Sequence, residues 1–226
     1  MDRLCDDLGL DTMETGVSLG VAMEAKALTF GNFEQMKETI QGIATGTQLG
    51  QIIAQGSVAT GRILEVSRVP AVKGQALSAY DPRALKGTGV TYATSTMGAD
   101  HTAGNCLPGR GGIKPNETKG QIELSKKLQI ITMICDFLGI CIFVGPVQEN
   151  MPVFSALISS FTGENIPEES LYELARSILE KEVEFNSRAG IGKEQNDLPR
   201  FFREEPLPNN GYVFDIPKEE LYDFKF

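Results

Sequence analysis

A mostly α fold, built as two helical domains around a shared cleft, follows from three features of the chain. Apolar residues recur at three- and four-residue spacing along most of its 226 residues. No convincing alternating strand longer than four residues is present. A short unit occurs twice, as Cys5-Asp6-Asp7-Leu8-Gly9-Leu10-Asp11 and as Cys135-Asp136-Phe137-Leu138-Gly139-Ile140-Cys141. Both copies read Cys-Asp-x-Leu-Gly-aliphatic and part company at the last place.

Taken in order, the first copy of the unit closes a short opening helix. Thr12 to Ala27 then reads as a helix with Val17, Ala22 and Ala27 among its buried positions. Asn32 can cap the next, whose apolar places are Phe33, Met36, Ile40 and Ile43. Glycines at Gly46, Gly50, Gly56 and Gly61 cut Thr45 to Val66 into short, closely packed helices. The helical period fails over Ser67 to Lys73, where Pro70 stands, and this places a domain boundary at residue 70. The domains are thus 1–70 and 71–226.

In the second domain, Tyr80-Asp81-Pro82-Arg83 carries the Asp-Pro start signal of a helix with Pro82 at its first position. That helix runs through Lys86 to Ser95 and ends in the loop Met97 to Gly104, which holds the chain's only histidine, His101. Asn105 to Thr118 is loop, Lys119 to Asp136 the central helix, and Phe154 to Phe161 a shorter one. Ile166-Pro167-Glu168 opens a long amphipathic helix to about Asn186, with Leu171, Leu174, Ile178, Leu179 and Val183 on its apolar face.

The repeated unit has a legible chemistry. A helix stops at a glycine, which adopts the left-handed conformation at no steric cost. In the first copy Asp11 can cap a new helix, with Glu14 completing a capping box. The corner presents free backbone N–H groups, which favour an anion such as a phosphate. Asp6 and Asp136, three places before each glycine, can accept two parallel N–H bonds from a flat heterocycle with guanine-like donors. Two ordinary helix ends with solvated aspartates remain the competing reading.

A net charge of −9 argues against nucleic acid and anionic membranes as partners. Nothing at the start marks secretion. Four unevenly spaced cysteines fit a reducing, cytoplasmic compartment. Leu128 to Val147 is apolar enough to raise a membrane span, but Asp136, Gly139 and Gly145 interrupt it. Met1 opens on what reads as mid-helix, and a helix has just begun at Pro217-Lys218-Glu219 when the chain stops, so a fragment of something longer is expected.

In its two corners, the Tyr80-Asp81-Pro82-Arg83 segment and the Gly98-Ala99-Asp100-His101 loop, the chain resembles the tungsten-containing aldehyde:ferredoxin oxidoreductase family. The likeness extends to Phe185-Asn186-Ser187-Arg188-Ala189-Gly190 and Asp197-Leu198-Pro199-Arg200-Phe201, nearly the whole chain. It implies that this is the later part of the middle domain and most of the last, without the family's N-terminal β domain, which a further segment or subunit would supply. It implies that Asp6, Leu10 and Asp11 serve one pterin of a bis-pterin tungsten or molybdenum cofactor, and Asp136 and Ile140 the other. Cys141 matches the fourth thiolate of a four-iron four-sulfur cluster. His101 matches the active-site histidine, placed to exchange a proton as an aldehyde becomes an acid, with ferredoxin taking the electrons. Departures are specific. The other three cluster cysteines, a C-x-x-C-x-x-x-C run in the family, have no counterpart among Cys5, Cys106, Cys135 and Cys141. Met97 and Ala103 stand where some members carry basic residues.

Two classes of function stay open on these grounds. One is the cofactor-gripping part of such an enzyme, or of a related pterin enzyme acting on an aromatic thioester. The other is a helical scaffold that kept the fold without the chemistry.

Overall fold

The computed structural model describes residues 1–144 and 147–226; Gly145, which the sequence places within an interrupted apolar run, lies outside them. Among the described residues the chain is mostly α, with one two-stranded hairpin. No helix among them is long and apolar enough to cross a membrane.

Five helices come first: α1 (Asp2–Leu8), α2 (Thr12–Glu24), α3 (Phe33–Thr45), α4 (Gln48–Ile53) and α5 (Ser57–Ile63). Their starts follow from side-chain caps. Asp11 accepts the Glu14 N–H at 2.7 Å, Asn32 accepts that of Gln35 at 3.1 Å, and Thr47 that of Gly50 at 3.2 Å. Their common core is Cys5, Leu19, Ala22, Met23, Leu28, Ile40 and Ile53. The expected burial of α2 needs correction: Ala22 is buried, Val17 only half so, and Ala27 lies exposed beyond the end of the helix.

The capping box at Asp11 is only half made. Glu14 turns its carboxylate away from the cap and accepts the N–H of Ser57 at 2.6 Å and that of Ala76 at 2.9 Å. One side chain of α2 thereby ties down the start of α5 and the hairpin β1 (Ala71–Val72) and β2 (Gln75–Ala76), where Ala71 pairs with Ala76. A carboxylate that satisfies two part-buried amides does more here than one closing its own cap.

The remaining helices are α6 (Lys86–Thr94), α7 (Gln121–Leu138), α8 (Met151–Thr162), α9 (Glu168–Arg188), α10 (Phe201–Glu204) and α11 (Lys218–Tyr222). Pro82 does not open α6. The Asp81 carboxylate takes the Arg83 N–H at 2.9 Å and its guanidinium, which closes a turn and delays the helix to Lys86. α6 is buried along its whole length, wedged against α7 and the core of Val72, Leu77, Tyr92, Leu198, Phe214 and Ile216. A second cluster joins α7, α8 and α9 through Ile130, Ile134, Met151, Phe154, Leu171 and Leu179. On α9 the buried stripe is Leu171, Ala175 and Leu179, whereas Leu174 and Val183 are 45% and 47% exposed.

Between α6 and α7 runs a buried polar ladder. The Gln129 amide donates to Thr94 Oγ1 at 2.9 Å and Ser125 Oγ at 3.1 Å. Ser125 bonds Thr91, whose hydroxyl donates to the Gly104 carbonyl at 2.9 Å. Gly104 itself approaches α7 so closely that a Cβ would stand 2.7 Å from the Gln129 nitrogen. The histidine loop is laid against α7 by these contacts.

Candidate functional site

The two copies of the repeated unit fold into the same corner. Gly9 ends α1 at φ 69°, ψ 34°, and Gly139 ends α7 at φ 66°, ψ 29°, both left-handed. Gly9 N donates to Asp6 O at 3.2 Å and Leu10 N to Cys5 O at 2.9 Å. The second corner repeats the pair, Gly139 N to Asp136 O at 3.1 Å and Ile140 N to Cys135 O at 2.9 Å. These are the paired bonds of a Schellman closure, in which the residue after glycine packs back on the helix. The closure explains the buried cysteines, the glycine and the aliphatic residue of the unit. It gives no reason for the aspartate, whose charge stands at the negative end of a helix, where an acid is disfavoured.

Neither Asp6 nor Asp136 has a hydrogen bond or ion pair within the described residues, and both are exposed. Where a Cβ on Gly9 or Gly139 would project, no atom of the described residues stands within 4 Å. Asp11 uses one carboxylate oxygen on its cap. Cys141, its counterpart, starts a 3₁₀ turn in which Val144 N donates to its carbonyl at 3.0 Å.

Asp136 also lines a cavity of about 370 Å³ with Asp100, Glu182, Thr96, Gln129 and Met133. Partial loss of water at the cavity wall, and then the charges of Asp100 and Glu182, hold its carboxyl above the usual carboxylate range. Glu182 accepts the Thr96 hydroxyl at 2.7 Å, and Asn186 donates to the Thr96 carbonyl at 2.7 Å. Asp100 accepts the N–H and hydroxyl of Thr102, both at 2.7 Å, and so folds the loop tightly around His101. The His101 ring stacks on Tyr80 with centroids 6.0 Å apart, and its nitrogens meet no hydrogen-bond partner among the described residues.

Of the residues singled out by sequence, Asp136, Ile140 and Cys141 share one corner, and Asp6, Leu10 and Asp11 share the other. His101 adjoins the Asp136 cavity through Asp100 without lining it, and Asp6, Leu10 and Asp11 line neither that cavity nor the larger one next to it. Cys141 is exposed, while Cys5, Cys106 and Cys135 are buried free thiols. Burial pushes the Cys106 thiol up to about 12. No group of three or more metal-binding side chains occurs among the described residues.

Residues 1–224 match the family described as aldehyde ferredoxin oxidoreductase, domains 2 and 3. The chain belongs to that family. It is similar to the tungsten-containing aldehyde ferredoxin oxidoreductase of Pyrococcus furiosus, 30% identical over 97% of this chain and 40% of the relative. The protein of the same description in Thermococcus kodakarensis is 29% identical over 96% of this chain and 40% of its own. An aliphatic sulfonate oxidoreductase, WOR-like subunit, of Pyrococcus furiosus is 28% identical over 97% of this chain and 37% of its own. The chain thus spans about 40% of the length of the aldehyde ferredoxin oxidoreductase relatives it matches.

Membership in the aldehyde ferredoxin oxidoreductase family leaves some residues around Thr96, Asp136 and His101 to be found by structure alone. Glu182 and Asn186 continue the stripe Leu171, Ala175, Leu179 at three- and four-residue steps. Polar residues on an apolar stripe were the available signal. Asp100 and Tyr80 stand in segments that carry the resemblance, but their approach to Asp136 and His101 depends on how the loops fold together.

Proposed function

We propose that this chain is the cofactor-gripping helical part of a tungstopterin, or molybdopterin, aldehyde:ferredoxin oxidoreductase. The observation that carries the reading is the pair of identically closed corners, each with an aspartate that the fold does not use. The residues fit a pterin on both sides. Asp6 and Asp136, unpartnered among the described residues, offer carboxylates to N–H donors of the heterocycle beside Gly9 and Gly139. Leu10 and Ile140 hold the corners shut, and Asp11 supplies its remaining oxygen on the first side.

An iron–sulfur cluster fits only in part. Cys141 is an exposed thiol able to serve as one ligand, but the buried Cys5, Cys106 and Cys135 do not join it in a set. Three more thiolates would come from outside this chain, as would the domain covering the other side of the cofactor. When bound, the metal–pterin group supplies the two-electron oxidation of the aldehyde, with electrons passed singly through the cluster to ferredoxin. His101 would hold or release a proton at a ring nitrogen, neither of which has a hydrogen-bond partner among the described residues. The Asp100 turn and the stacked Tyr80 ring would fix the imidazole in place.

The test uses the protein joined to its upstream domain and purified from cells fed tungstate. It should reduce ferredoxin when given an aldehyde, and His101→Asn should lower kcat by about 100-fold or more without loss of metal. Metal-loaded protein inert toward aldehydes would defeat the reading; an arm with an aliphatic sulfonate tests the substrate class named for one relative.

A further inference from the structure

A second cavity neighbours the one that Asp136 lines and shares Thr96 with it. It measures about 430 Å³ and opens between the end of α6, the second half of α9 and the segment 222–226. Its walls are apolar and aromatic, with Val183, Ile191, Tyr222, Phe224 and Phe226, and Lys73 lines it too. That volume is within the range of about 300–1,000 Å³ typical of small-molecule sites.

Lys73 is held there at some cost. It occupies the tip of the β1–β2 hairpin at φ +50°, followed by Gly74 at φ +89°, a turn that asparagine or glycine fills more readily. Its ammonium donates to the Ala93 carbonyl at 3.0 Å and the Ser95 carbonyl at 2.7 Å. Those two bonds close the end of α6 and account for two of its three N–H groups. Among the described residues no carboxylate pairs with it. Burial lowers it to about 8. Capping α6 explains the two bonds; it does not explain a half-buried cation without a counter-charge beside an apolar hollow. The other charged groups on the cavity wall are Glu180, Lys193 and Lys225, so positive charge predominates.

We infer that this cavity is a binding site for a small carboxylate with an aromatic or branched apolar tail, its carboxylate on the third N–H of Lys73 and its tail among Val183, Tyr222 and Phe224. The inference needs no metal and uses none of the corner residues.

Calorimetric titration of the natural full-length protein with phenylacetate, against its neutral isostere phenylacetamide, tests it. Phenylacetate should bind at least tenfold more tightly than the amide, and Lys73→Met should erase the difference. Between pH 7 and pH 9 the affinity for phenylacetate should drop by about tenfold, since Lys73 loses its proton near pH 8 while Glu180, Lys193, Lys225 and Tyr222 also face the site. Val183→Phe fills the cavity without touching Lys73 and should block binding with the circular dichroism spectrum unchanged. Equal binding of acid and amide, a preference for the acid that survives Lys73→Met, binding that survives Val183→Phe, or no binding at millimolar ligand overturns the assignment.

Discussion

Asp136→Asn should make the unloaded protein more stable. The carboxylate stands in the last turn of the 18-residue helix α7, three residues before the closing Gly139, at the negative end of the helix dipole. An acid so placed costs about 0.3–1 kcal/mol when exposed. Asp100 and Glu182 add to the same penalty, and no hydrogen bond among the described residues offsets it. Asparagine keeps the shape and removes the charge, so stability at pH 7 should rise by about 0.5–1 kcal/mol, or roughly 1–4 °C in Tm for a chain of this size. The pH dependence follows from the direction of the shift. With the folded-state carboxyl held above its unfolded value, wild type has this stability in full below the unfolded value and loses it as pH rises through the folded one. The advantage of the variant should therefore be absent in acid and grow toward neutrality. Urea denaturation of both proteins at a series of pH values measures it. A variant less stable than wild type by more than about 0.5 kcal/mol at pH 7 would refute the reasoning, because Asp136 would then have a structural task.

Three further outcomes are expected. Gly9→Ala and Gly139→Ala should each cost about 1 kcal/mol, since a Cβ in the left-handed region is penalised while nothing stands within 4 Å to clash. Their effects on urea midpoints should add, because the corners belong to separate apolar clusters; costs differing by more than about 1 kcal/mol would mean the corners are not equivalent. Glu14→Ala should lose about 3 kcal/mol by leaving the Ser57 and Ala76 amides unpaired, whereas a loss below about 1 kcal/mol would show that water replaces it freely. In the native, unloaded chain Ellman's reagent should titrate one thiol, Cys141, rising to four on denaturation; rapid reaction of Cys135 or Cys106 would contradict their burial.

The corners were legible because a Schellman closure writes itself locally: a buried residue, a glycine and an aliphatic residue at fixed steps. The caps Asp11 and Asn32 were legible for the same reason, since each acts within three residues. What the sequence misstates depends on partners far away in the chain. Glu14 forgoes its own cap for amides 43 and 62 residues distant. Pro82 reads as a helix start until the Asp81 carboxylate is seen to fold back on Arg83. Strands of two residues, as at Ala71–Val72, are too short to alternate, so the hairpin that carries Lys73 left no pattern. Around Asp136, the approach of Asp100 and Glu182 arises only when α7, α9 and the histidine loop pack together.

Pterin and tungsten content of the protein joined to its upstream domain tests the paired-corner reading most directly. Wild type should hold two pterins per tungsten, and Asp6→Asn and Asp136→Asn should each lose most of both while remaining folded. Single variants that retain the full complement would contradict it.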